Sequence, residues 1–140
     1  MALSFLAVVQ ERFAQHRTLI LYFFIGASAS LIDVVGFVVF HSVLEIISTL
    51  ATTYSVALAT VYAFLLNAFF NFKQTDRFLW RFLSYFFVSG VGLAFSALML
   101  WLFNVVLGFD GNLIKILSLP LVFVLQYILN KKVTFQSKNQ

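Results

Sequence analysis

Four long apolar stretches constrain the fold of this 140-residue chain more than any other feature. An α-helix needs about 20 mostly apolar residues to cross the hydrocarbon core of a bilayer. Because 62% of the residues are hydrophobic and only 10% are charged, water cannot solvate most of the surface. The sequence therefore predicts an all-α integral membrane protein with four transmembrane helices. The predicted spans are 18–40, 46–72, 82–107 and 113–129.

The positive residues indicate how these spans are oriented. Eight of the nine Lys and Arg residues lie before the first span, between the second and third, or after the fourth. Positive residues near span ends are retained on the cytoplasmic side, so both termini are predicted to be cytoplasmic. The net charge of +4 is explained by anionic lipid headgroups, and no nucleic-acid partner is expected. The eight residues are Arg12, Arg17, Lys73, Arg77, Arg81, Lys131, Lys132 and Lys138.

The first 17 residues form an amphipathic segment ahead of the first span. Leu3, Leu6, Val9 and Phe13 lie roughly on one face when this segment is drawn as a helix. Such a face predicts an N-terminal interfacial helix that lies on the membrane. The alternative is that residues 1–17 simply extend the first span.

An internal repeat with an offset of 63 residues covers most of the chain. Because matching asparagines are informative in so apolar a sequence, we interpret residues 18–73 and 81–136 as two copies within one membrane domain, 1–140. Each copy holds two spans, so the copies enter the membrane the same way up, related by a pseudo-twofold axis along the membrane normal. The matches include Tyr22 with Tyr85, Phe23 with Phe86, Asn67 with Asn130 and Phe72 with Phe135.

Three segments within these copies carry a family resemblance. They are Tyr22-Phe-Phe-Ile-Gly-Ala-Ser-Ala-Ser-Leu-Ile-Asp33, Leu66-Asn-Ala-Phe-Phe-Asn-Phe72 and Leu129-Asn-Lys-Lys-Val-Thr-Phe135. Together they resemble the GtrA-like family of four-helix bacterial membrane proteins over about residues 19–135. The first copy departs from the family pattern, with Asn71-Phe72-Lys73 where a basic pair is expected.

The resemblance implies a function in the bacterial cytoplasmic (inner) membrane. It implies translocation, or flipping, of a monosaccharide linked to a polyprenyl phosphate such as undecaprenyl phosphate, for glycosylation of a cell-surface polysaccharide. A membrane glycosyltransferase that charges the lipid is the implied partner. Because four short helices enclose little room for a sugar phosphate, a homo-oligomer is also predicted.

Amides and cations near the cytoplasmic helix ends are the candidate substrate-binding residues. Side chains four residues apart share a helix face, which pairs Asn67 with Asn71 and Gln126 with Asn130. Amides can bind sugar hydroxyls, but polar residues in membrane bundles also bond neighbouring helices, and both interpretations stay open. Three cations, Lys73, Lys131 and Lys132, follow these amides and suit a lipid phosphate at headgroup depth.

Two charges within the spans form a second candidate site. Asp33 lies roughly 24 Å along its helix from Arg17, and Lys115 lies roughly 22 Å from Asn130 on its own helix. Charges inside a span are costly and usually face an interior or an aqueous path. We predict that Asp33 and Lys115 approach each other as an intramembrane polar station, whose role is either structural or functional.

Enzymatic activity is not indicated. The chain lacks a glycine-rich phosphate loop followed by Lys, and His16 and His41 fall on opposite predicted sides of the membrane. Without cysteine it has no thiolate metal site. No catalytic residue, cofactor or metal is expected.

Two alternative functions remain open. The protein could be a scaffold that recruits or stabilises the glycosyltransferase without moving lipid, since a basic cytoplasmic face can dock a partner. It could also be a small proton-coupled multidrug exporter in which Asp33 exchanges protons.

Overall fold

A computed structural model describes the backbone of residues 2–136 and the side chains of residues 10, 13, 14 and 16–136. Within the described residues all regular secondary structure is helical, and four helices are long and apolar enough to cross a membrane. The predicted all-α membrane architecture is therefore confirmed. The helices are α1 (Ala2–Val38), α2 (Ser48–Leu66), α3 (Phe78–Leu100) and α4 (Gly111–Leu129).

Each helix passes directly into a π-helical turn at its C-terminal end. A π-turn bonds each N–H five residues back, which widens the helix locally and re-aims the side chains it carries. Including these turns, the four candidate spans are His16–Val43, Ser48–Asn71, Phe78–Val106 and Gly111–Thr134. The turns are Val39–Val43, Asn67–Asn71, Trp101–Val106 and Asn130–Thr134.

Several predicted boundaries differ from the structure, and the third helix, for example, begins at Phe78 instead of residue 82. The fourth span was predicted to end at residue 129, yet helical structure continues to Thr134, because polar side chains in the last turn bond one another. At the other terminus α1 is continuous from Ala2, so no break separates residues 2–17 from the first span. The side chains of Leu3, Leu6 and Val9 lie outside the described residues, and placement of this segment on a membrane surface stays a prediction.

The chain divides into two compact units, Met1–Lys73 and Gln74–Gln140. In the first unit α1 packs along α2, and in the second α3 packs along α4. Small side chains such as Ala29 and Ala63 are buried in the first unit, and Gly92 and Ser96 are buried in the second. Small residues let helix backbones approach closely where no hydrophobic force between helices is available.

A short link joins the helices of each unit at what we call its hairpin end. Glu45 and Gly108, which are 63 residues apart, both adopt the left-handed conformation, with φ of 56° and 75°. One hydrogen bond closes each link. In the first unit His41 Nδ1 lies 2.9 Å from the Ile46 carbonyl oxygen, and in the second Asn104 Nδ2 donates to the Phe109 carbonyl oxygen at 2.6 Å. The equivalent contacts give both links the same backbone path.

The outward faces of the helices are strongly apolar. Large exposed side chains include Phe24 and Leu31 in the first unit and Phe87 and Leu93 in the second. A protein in water rarely exposes such extensive apolar surface, whereas lipid chains solvate it readily. These faces agree with a chain embedded in a bilayer.

Candidate functional site

The polar residues concentrate at the end of each unit opposite the hairpin link, which we call the asparagine end. In the first unit Asn67 and Asn71 are 1% and 3% exposed. Asn71 Nδ2 donates to Asn67 Oδ1 at 2.9 Å and to the Thr18 carbonyl oxygen at 3.0 Å, which joins the end of α2 to α1. Asn67 Nδ2 donates to the Ala63 carbonyl oxygen at 2.9 Å.

The asparagine end of the second unit repeats this geometry with different chemistry. Asn130 is 1% exposed, and its Oδ1 accepts a 2.8 Å hydrogen bond from Thr134 Oγ1. Thr134 lies 63 residues after Asn71, so a hydroxyl replaces an amide as the donor. In both units the donor lies four residues after the asparagine, within a π-helical turn.

An aromatic pair closes each asparagine end. The rings of Tyr22 and Phe72 pack edge to face with centroids 6.4 Å apart, and those of Tyr85 and Phe135 do the same at 6.1 Å. Both phenylalanine N–H groups bond the carbonyl oxygen of the asparagine five residues earlier, at 2.8 Å. These contacts hold the π-turns against the first helix of each unit.

Three of the four amides predicted to bind substrate are therefore buried in contacts within their own unit. Asn67, Asn71 and Asn130 make the polar packing contacts that the sequence left open as an alternative. Among the described residues, Asn71 Oδ1 is a buried side-chain atom without a hydrogen-bond partner. Substrate binding by these three amides stays a prediction.

The fourth amide, Gln126, lies differently. Its side chain crosses the backbone of α3 at Gly92, where a built Cβ atom would come within 2.7 Å of Gln126 Cδ and 2.9 Å of Cγ. Gln126 is partly exposed. The sequence analysis identified the Gln126 amide but not its contact with Gly92. The 63-residue offset could have revealed this contact, because it pairs Gly92 with Ala29 and Gln126 with Ala63.

The cations of the site differ in availability. Lys73, Lys131 and Lys132 are exposed, and Lys131 Nζ lies 5.8 Å from the centroid of the Tyr127 ring. Lys131 and Lys132 lie within the π-turn of the second unit, whereas Lys73 follows the turn of the first unit with a φ of 53°. All three side chains are accessible to an anion.

Arg81 is a structural residue that sequence reasoning had grouped with the surface cations. It is buried, and its guanidinium donates to the Thr134 carbonyl oxygen and, at 2.7 Å, to both the Asp76 carbonyl oxygen and Asp76 Oδ1. Charge-assisted contacts of this kind fix a planar guanidinium in one orientation. Arg81 therefore fastens the start of α3 to the last turn of the second unit.

The two charges within the spans have separate surroundings. Lys115 Nζ donates to Ser96 Oγ at 3.0 Å, and Ser96 Oγ lies 3.5 Å from the buried Ser118 Oγ. Asp33 is half-buried on α1. Asp33 belongs to the first unit and Lys115 to the second, so their predicted approach stays a prediction.

The asparagine ends supply hydrogen-bonding groups and cations, which suit an anion that also carries hydroxyls. Among the side chains that the structure describes, no three His, Asp or Glu residues are placed to hold a metal ion.

Comparison with known proteins identifies the family. The model of the GtrA/DPMS transmembrane domain matches residues 21–135, which include both asparagine ends. A comparison with curated proteins gives no match. Because the family match covers most of the chain and four helices can span a membrane, this multi-pass membrane protein belongs to the GtrA/DPMS transmembrane-domain family.

Proposed function

We propose that this protein translocates a polyprenyl-phosphate-linked monosaccharide, such as one carried on undecaprenyl phosphate, across the bacterial cytoplasmic membrane. The sugar then serves the glycosylation of a cell-surface polysaccharide. The observation that carries the proposal is the exposed pair Lys131–Lys132 beside the Asn130 turn, in a chain of this family. An exposed cation pair at a helix end suits the phosphate of a lipid headgroup.

The same proposal treats the two units as copies of one duplicated hairpin. Equivalent contacts at a 63-residue offset support it, among them the Tyr22–Phe72 and Tyr85–Phe135 ring pairs. Two hairpins joined in one chain begin on the same side, so both asparagine ends face the cytoplasm together with both termini. The headgroup is then captured at the inner leaflet, where the glycosyltransferase charges the lipid.

Each candidate residue has a role in this scheme. Lys73, Lys131 and Lys132 bind the phosphate, while Asn67, Asn71, Gln126 and Asn130 bind sugar or hold the helix ends that present the cations. Lys115 with Ser96, and Asp33, form polar stations nearer the hairpin ends. Translocation requires no covalent step, so no catalytic residue is assigned.

A scaffold function is the second candidate, and one observation favours it. Three of the four candidate amides are buried in contacts within their units, so the exposed cations can serve to dock a membrane glycosyltransferase instead. A homo-oligomer suits both functions, because each protomer has large apolar faces on its helices.

Reconstitution in liposomes tests transport against scaffolding. Purified protein is placed in vesicles that contain a polyprenyl-phosphate hexose labelled in the sugar, and an impermeant oxidant measures the sugar exposed outside. We expect the wild type to bring inner-leaflet sugar to the oxidant, and Lys131→Ala/Lys132→Ala to slow this by about tenfold, the effect of losing roughly 1.4 kcal/mol of binding.

The double variant Arg12→Ala/Lys138→Ala is the control, because it removes two positive charges from the same predicted side and should transport normally. Wild-type vesicles that expose no more sugar than protein-free vesicles, while the protein still binds the glycosyltransferase, would contradict transport and favour the scaffold.

A further inference from the structure

The Gly92–Gln126 contact distinguishes the second unit from the first. At the equivalent positions the first unit has Ala29 and Ala63, which are both small and buried. The second unit instead has Gly92, which lacks a side chain, and Gln126, which has a long amide side chain. A Cβ at residue 92 would displace the end of the Gln126 side chain, so the glycine leaves room for this amide against α3.

The position of Gln126 makes an amide there costly without a ligand. Within the part of the chain that the structure describes, its side chain makes no hydrogen bond, although it is only partly exposed. It lies about 12 Å along the helix from Thr134, inside the candidate membrane span Gly111–Thr134. A polar group in hydrocarbon that lacks a partner is unfavourable, which favours a partner that arrives with the substrate.

Gln126 shares a helix face with Lys115. The two residues are eleven positions apart on α4, which corresponds to about 20° around the axis and about 16 Å along it. Lys115 is exposed and donates to Ser96. The residues 63 positions earlier, Thr52 and Ala63, include no charge and no amide. This face of α4 therefore offers a charge and an amide that the first unit does not match.

We propose that Gln126, seated on Gly92, hydrogen-bonds the hydroxyls of the sugar as the headgroup passes, and so distinguishes a sugar-bearing lipid from the bare lipid phosphate. A carboxamide both donates and accepts, as a sugar hydroxyl does, and it carries no charge that would hold the phosphate. Gly92 is the positioning residue. The inference rests on the proposed function, within which it assigns sugar recognition to the second unit.

Four variants test this assignment. Gln126→Ala removes the amide, and Gly92→Ala displaces it. The double variant Gly92→Ala/Gln126→Ala recreates the Ala29–Ala63 pair of the first unit, so it is expected to fold. Gly90→Ala is the matched control, because a Cβ at residue 90 meets nothing within 4 Å.

The readout compares two probes, a short-chain polyprenyl phosphate with and without one glucose. Each is titrated against purified protein in detergent, and each is used in the liposome assay. We expect wild type and Gly90→Ala to prefer the glucose-bearing probe. The other three variants should lose about three- to tenfold of that preference, the effect of a typical neutral hydrogen bond, with unchanged affinity for the bare phosphate.

Three results would overturn the inference. The wild type could bind both probes equally, or Gln126→Ala could keep the wild-type preference. Alternatively, Gly92→Ala could weaken the preference and Gln126→Ala restore it in the double variant, which would show that the amide only packs. If the preference depends on Gln126 but no lipid crosses the membrane, the proposed translocation fails and sugar recognition stands.

Discussion

At the scale of single residues, a buried asparagine oxygen is the common feature of the two asparagine ends. Asn67 Oδ1 accepts from an amide and Asn130 Oδ1 from a hydroxyl, at 2.9 and 2.8 Å. The geometry is preserved although the donor differs. A buried acceptor that loses its partner costs more than the hydrogen bond itself gains, so either donor type serves as long as one is present.

The packing and binding roles of Asn130 can be separated by stability. Asn130→Ala leaves Thr134 Oγ1 without its acceptor in a buried site, so we expect a loss of about 1–3 kcal/mol in the free energy of unfolding. Thermal unfolding in detergent, followed by circular dichroism, measures it. Asn112→Ala, at an exposed position on α4, is the control and should unfold like the wild type. An unchanged unfolding temperature combined with lost lipid binding would instead place Asn130 in the substrate site.

At the scale of elements, the two hairpin links reach the same backbone path with different residues. Glu45 and Gly108 occupy the left-handed position. The side chains of His41 and Asn104 each bond the carbonyl oxygen five residues later. In the second unit Asp110 also caps α4, accepting from the Leu113 N–H at 2.8 Å. The two turns therefore adopt the same backbone conformation with different residues.

Gly108→Ala tests the strain at this turn. Alanine at a φ of 75° costs about 1 kcal/mol or more, so we expect a lower unfolding temperature in detergent. Gly26→Ala serves for comparison, because Gly26 is helical and a Cβ there meets nothing within 4 Å. Equal unfolding temperatures for both variants would show that the left-handed conformation of residue 108 is not required.

At the scale of the whole molecule, the placement of the polar ends relative to the membrane carries the functional proposal. The exposed cations Lys73, Lys131 and Lys132 lie at the asparagine ends, whereas the hairpin ends hold Glu45 and Asp110. This asymmetry predicts cytoplasmic asparagine ends, because positive residues resist translocation during insertion.

Cysteine labelling tests the topology directly, since the chain has no native cysteine. We expect Gln74→Cys to react with an impermeant maleimide only in inside-out vesicles, and Asn112→Cys, near the hairpin end, only in intact cells. Reaction of residue 74 from the outside of intact cells would place the cations outside and would contradict capture from the inner leaflet.

Most of the fold could be predicted from the sequence. The number of spans follows from the length and apolarity of each stretch, since a single helix must satisfy its own backbone in hydrocarbon. The fourth span was predicted to end at residue 129, where α4 ends, but a π-helical turn in which Asn130 and Thr134 bond each other continues the span to Thr134. The four-residue spacing places Thr134 on the same face as Asn130 but does not show that the two side chains bond.

The candidate site was predicted only in part. The exposure of Lys131 and Lys132 is the expected consequence of their charge at a helix end. The burial of Arg81 could not be predicted, because the Thr134 carbonyl oxygen meets its guanidinium only when α3 packs along α4. The contact of Gln126 with Gly92 was missed, although the 63-residue offset pairs these two residues with Ala63 and Ala29.

The sequence by itself determined the membrane class, the four spans and the family, because each depends on composition and order along one segment at a time. Only the tertiary structure decided which polar side chains make packing contacts within a unit and which remain exposed to a ligand. That distinction depends on which side chains face each other across a pair of packed helices. These contacts join residues far apart in the chain, so a pattern within one segment does not show them.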